Sequence, residues 1–192
     1  MIAYKGCWED LTCTFGKGKY QYFKGRKIKE ESSKCAARGL HCAEYPFDCF
    51  HWYPPGKGCC YFEVEAAGSL DECGWDTQIS CTEMTLLRQL TVFQMAARGM
   101  MYMVEYPKRA WECQAEGVSV TRDRAQGHGP DTIGIARGER PKVKGAEGSI
   151  LGLLCEDSDG NIIDAKVFQV KGRIKPDTWY RLEGRVLKET EG

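Results

Sequence analysis

Apolar and polar positions alternate with a period of two over much of the chain, the spacing of strands that turn one face to a core. "IAY" (residues 2–4) predicts a short strand, and "KYQYFKGRKI" (19–28) predicts a hairpin turning at Lys24-Gly25. "CCYFEVEA" (59–66) is a third strand. The pattern over 80–90 fits helix or strand, and strand to about Arg88 is preferred because Thr91 then stands where a helix cap belongs. The run "VFQMAARGMMYMV" behind it is helical; Gly99 weakens it and Pro107 ends it. Between these elements, Gly39, Pro46, Pro54, Pro55 and Gly56 leave room for only a short helix near 46–52, with proline at its first position.

The character changes near residue 108. Glycine, small residues and short β-branched runs predict short strands and tight turns, closing with "SILGLLC", "IIDAKVFQV", "TWYRLEG" and "RVLKE". Asp159-Gly160 is the strongest hairpin signal, and Lys171-Gly172 marks a further turn. The expected class is α+β: a small mixed-sheet N-terminal domain over 1–108, then a β-rich C-terminal part over 109–192.

Composition narrows the function classes. The 192 residues are 42% hydrophobic, enough for a real core, and 27 basic residues balance 27 acidic ones, which removes the simplest case for a nucleic-acid or anionic-membrane partner. Charge is nevertheless uneven: residues 1–38 hold nine Lys/Arg against four Asp/Glu, and 39–83 hold one against eight. The opening residues carry no apolar run of a signal peptide, and no window reaches the roughly 18 apolar residues of a membrane span. A cytoplasmic location in a host cell is expected. Eleven cysteines is an odd number in a chain of this length, so most are expected to be reduced thiols.

Read in order, "AYKG", "DLTC", "GLHCAEYPFDCFHWYPPG", "CYFEVEAAG" and "GNIIDAKVFQVKGRIKPDTWYRL" resemble a family of phage and prophage proteins labelled as a domain of unknown function. The resemblance covers roughly residues 1–95, with a closing cap over 145–182. Many such proteins carry a β-solenoid repeat array between the two parts. Here only "TIGIARGERPKVKGAEGSILGL" echoes it, so the resemblance implies a solenoid stub with hairpins. A stub too short to bury its own core must pack on other parts or on copies of the chain, so a homodimer or homotrimer is expected.

The stretch from Gly39 to Pro55 invites three chemistries. Zinc has suitable ligands in Cys35, His41, Cys42, Cys49, His51, Cys59 and Cys60, but no Cys-x-x-Cys occurs and the adjacent pairs would point apart, so no metal is expected. A nucleophilic Cys42 or Cys49 beside His41 or His51 lacks the usual distance in sequence, and buried neutral thiols are expected instead. The third is an ADP-ribosyltransferase-like cleft, in which His41 and Tyr45 would hold the nicotinamide ribose of NAD and Glu65 or Glu83 would stabilise the transition state. Against it stands a plain core turn of packed rings; apart from that NAD reading, no cofactor is expected.

The basic segment offers a different site. Lys17, Lys19, Lys24, Arg26, Lys27 and Lys29 interleave with Tyr20, Tyr22 and Phe23, as single-stranded nucleic-acid binding requires. "FGKGK" lacks the spacing of a phosphate loop, and "EDSDGN" lacks the alternating acids of a calcium loop. The function expected is that of a non-enzymatic accessory protein of a phage or mobile element. It would bind a host protein or ribonucleoprotein complex, and an anti-CRISPR-like antagonist of host defence is one such binder.

Overall fold

The computed structural model describes residues 1–14, 18–72, 74 and 76–192. The chain divides into two compact units, Met1–Met95 and Ala96–Gly192. Among the described residues there are fourteen strands against one α-helix and one 3-10 turn, so the fold is β-rich and the expected α+β class is overturned. The helical pattern was read correctly where it occurs; what the α+β expectation missed is strand length.

The first unit is built on β1 (Ile2–Trp8), β5 (Leu40–Ala43), β6 (Cys59–Glu72) and β7 (Gln78–Leu90), which pair antiparallel in the order β7, β5, β1, β6 and close because β6 also pairs with β7. A mixed sheet was expected; the named strands of this sheet are all antiparallel. β6 and β7 are long enough to serve two neighbours each. Ser80 on β7 lies beside His41 on one side and Asp71 on the other. Two short strands, β2 (Thr12–Cys13) and β3 (Tyr20–Gln21), pair with each other, and β4 (Lys27–Lys29) adds to β7. The hairpin expected across Lys24-Gly25 therefore does not form: its two arms find partners elsewhere, where there is apolar surface to cover. Inside the ring, Ala3, Cys7, Cys42, Phe62, Val64 and Met84 form a buried core.

Thr91 caps the helix α1 (Val92–Glu105) as the sequence implied. Its Oγ1 accepts from the Gln94 N–H at 3.1 Å while Gln94 Oε1 accepts from the Thr91 N–H at 2.9 Å, a reciprocal capping box.

The second unit begins within that helix. β8 (Cys113–Ala115) turns into β9 (Val118–Gly127), and β9, β10 (Ile133–Gly145) and β11 (Ile150–Glu156) then stack in parallel. Ile133 sits between Val118 and Ile150, and Val143 lies beside Ala125. Parallel neighbours joined by such short turns require the chain to coil, and the β9–β10 register shifts between Arg137 and Lys142. β12 (Ile162–Gln169) pairs antiparallel with β11, while β13 (Trp179–Glu183) pairs with β10 and with β14 (Val186–Thr190). Both faces of Ile133–Gly138 are buried, as parallel sheets demand. A buried Arg137 bonds to Glu156, donates to the Pro107 carbonyl at 2.6 Å and lies over the Trp111 ring at 4.9 Å, holding two coils and their flanking turns together.

Candidate functional site

The first unit encloses a cavity of about 320 Å³ whose wall is shared by β1, β5, the segment between β2 and β4, and the 3-10 turn Pro46–His51. Its most unusual group is Lys5. Strand alternation places Ala3, Lys5 and Cys7 on one face of β1, so a lysine takes a place in an otherwise apolar row. The Lys5 side chain is 5% exposed, its Nζ donates to the His41 carbonyl at 2.7 Å, and it lies 4.5 Å from the centre of the Tyr22 ring. Burial works to lower the Lys5 pKa, while the neighbouring Tyr22, Cys13 and Tyr53 raise it, and the net direction is upward.

β5 carries His41 into the wall. Its imidazole pKa is lowered, first by burial and then by the Lys5 charge, and its Nε2 is buried with no hydrogen-bond partner among the described residues. The 3-10 turn starts at Pro46, with the Tyr45 backbone extended ahead of it. It contributes Asp48 and Cys49. Asp48 accepts from the Thr77 N–H at 3.0 Å and from the Thr77 hydroxyl at 2.7 Å, and burial raises its carboxyl above the ordinary value despite those bonds. Burial pushes the Cys49 thiol up to about 12, which leaves it protonated and unreactive at neutral pH. Tyr22 is likewise pushed up to about 12 by burial. Opposite, Tyr53 lies flat over Gly6, whose missing side chain makes room: a Cβ there would stand 2.8 Å from Tyr53 Cβ.

The stretch from Gly39 to Pro55 thus does two jobs. Phe47 and Phe50 stack at 5.7 Å and continue edge-on to Tyr45 and Tyr61, filling the core as a packed turn. His41, Cys49, Trp52 and Tyr53 line the cavity. The expectation of a plain plug holds for the first set and is corrected for the second.

Of the NAD-reading residues, only His41 reaches the cavity wall. Tyr45 is buried against Phe47; Glu65 is exposed on β6 between Ile2 and Thr85; Glu83 faces Lys27 and Lys29 at 3.1 and 2.8 Å. The basic residues are likewise dispersed. Lys19 pairs with Asp10, Lys24 donates to Gln89, Arg26 lies over Phe23, and Tyr22 is buried beneath Lys5 instead of offering a stacking face. Lys17 and most of "FGKGK" fall outside the described residues. No three metal-ligating side chains gather among the described residues. Among the described residues nine cysteines are free thiols, in line with most being reduced, and Cys35 is disulfide-bonded. No helix among the described residues is long and apolar enough to cross a membrane.

Sequence reasoning overlooked Lys5. Its signal was present in "IAYKGCW", where a lysine holds the inward register of a strand, but a strand ending at Tyr4 leaves it in a loop.

Fold and site together define a small closed antiparallel β-domain with a charged, ring-walled cavity. The chain belongs to the family described as Domain of unknown function (DUF7666), which matches residues 1–98. No curated protein and no solved structure matches it.

Proposed function

We propose that this protein is a non-enzymatic binding protein whose first unit holds a small ligand in the Lys5 cavity. The observation that carries the reading is a buried lysine lining a cavity walled by rings, where among the described residues no three metal-ligating side chains gather. Cavities of a few hundred cubic ångströms with aromatic walls and a few polar groups are typical of small-molecule sites. A ligand present at a hundredfold its dissociation constant stabilises the folded state by about 2.7 kcal/mol. Thermal melts against a panel of metabolites should therefore show a ligand-specific rise, and no rise with any of them would overturn the ligand-site reading.

The resemblance to phage and prophage proteins supports a second half of the proposal: the protein serves a phage or mobile element by occupying a host macromolecule, with an antiviral defence complex as the target class. Tagged protein expressed in a bacterial host is expected to co-purify with one host complex in stoichiometric amount. Failure there removes the host target and leaves the ligand cavity standing.

One observation favours the NAD-consuming alternative, namely His41 in the cavity wall. Tyr45 and Glu65 lie elsewhere, so incubation with NAD⁺ should release no nicotinamide. Release that disappears in His41→Ala and Glu65→Ala would overturn the non-enzymatic reading.

A further inference from the structure

An ammonium removed from water is costly unless a counter-charge or a full set of acceptors replaces its hydration. Among the described residues Lys5 has one carbonyl acceptor and the Tyr22 side chain, and it forms no ion pair. Among the described residues the fold thus presents a cation to its cavity with no carboxylate paired to it.

We propose that the cavity binds a small aromatic monocarboxylate, with Lys5 as its counter-ion; this rests on reading the cavity as a ligand site. Three features select the class. The first is charge. Lys5 is the one buried cation in the wall, Lys19 being exposed and held by Asp10, whereas Asp48 and Asp76 contribute negative charge. One negative charge on the ligand is favourable there, and a diphosphate or triphosphate would be repelled. The second is shape: rings of Tyr20, Trp52 and Tyr53 line the space, and flat ligands meet rings by stacking or edge contact. The third is His41, whose buried Nε2 has no partner among the described residues. A hydroxyl on the ligand ring can satisfy it in either tautomer, since it both donates and accepts, and an amino group can satisfy it where Nε2 is the acceptor.

Isothermal titration of the full chain with 4-hydroxybenzoate, 4-hydroxybenzamide and phenyl phosphate tests the inference. The carboxylate should bind roughly tenfold or more tighter than the neutral amide, because losing one partner of a buried charge pair costs at least that factor. Lys5→Met should erase the preference of the acid over the amide. Equal affinity for acid and amide, a preference that survives in Lys5→Met, or tightest binding by the phosphate dianion would each overturn the assignment. Should Lys5→Met fail to fold, the acid and amide compared on the unaltered protein decide the matter alone. Absence of binding by all three ligands would remove the ligand-site reading itself.

Discussion

Gly6 and Asp48 show how single residues keep the cavity open. Gly6 admits the Tyr53 ring so closely that even one methyl group must displace it, since a Cβ would lie 2.8 Å from both Cβ and Cδ2 of Tyr53. Overpacking of this kind costs about 1–3 kcal/mol, so Gly6→Ala should lower the urea midpoint with little change in slope. An unchanged midpoint would mean that Tyr53 yields freely. Asp48 offers a pH signature. Its folded-state pKa is raised by burial, so the protonated form favours the folded chain. That contribution is complete below about pH 4, near the unfolded value, and is lost as pH rises through the raised folded value. Asp48→Asn keeps an oxygen for Thr77 and cannot ionise. Its melting temperature relative to the parent should be level at pH 4 and higher at pH 7; a difference independent of pH would sink the assignment. Lys5, the residue on which the site depends, was legible only once β1 was known to run past Tyr4. Burial of a lysine is decided by what closes over it, here β5 and Tyr22, which local pattern does not contain.

At the scale of elements, turns and caps were readable because their chemistry is local: Thr91 opens α1, Pro46 opens the 3-10 turn, and Asp159-Gly160 turns β11 into β12. Pairing was not. "KYQYFKGRKI" alternates as a hairpin should, yet β3 joins β2 and β4 joins β7, because burial against Tyr22 and Met84 outweighs a local turn. The coils of the second unit depend on a different local feature. Gly134 lies so close to the preceding coil that a Cβ would stand 2.6 Å from the Gln126 carbonyl carbon and 2.8 Å from the Gly127 nitrogen. Backbone cannot step aside as a side chain can, so Gly134→Ala should destabilise by about 2 kcal/mol or more. Amide exchange in β9, β10 and β11 should quicken with it. Gly74→Ala, where nothing lies within 4 Å, is the control and should change stability by less than about 0.5 kcal/mol. If the control falls as far as the test, the coil contact is not the cause.

For the whole molecule, the decisive question is whether the short solenoid needs a second copy. The sequence argument for a dimer or trimer assumed a stub with an open apolar face, since a coiled stack buries its core only between neighbours. In the second unit the chain supplies neighbours of its own. β8 folds back along β9, β12 covers β11, and β13 takes the place beside β10 that a further coil would occupy. Beneath these strands Leu151, Leu153, Phe168 and Tyr180 are buried, and Ile174, Leu182 and Leu187 pack against them. Light scattering on the purified protein is therefore expected to give the mass of one 21.6 kDa chain at micromolar concentration. A stable dimer or trimer would mean that an apolar surface other than the stack is being covered, and deleting β12 should then leave the assembly intact, whereas deletion from a monomer should create one by exposing β11.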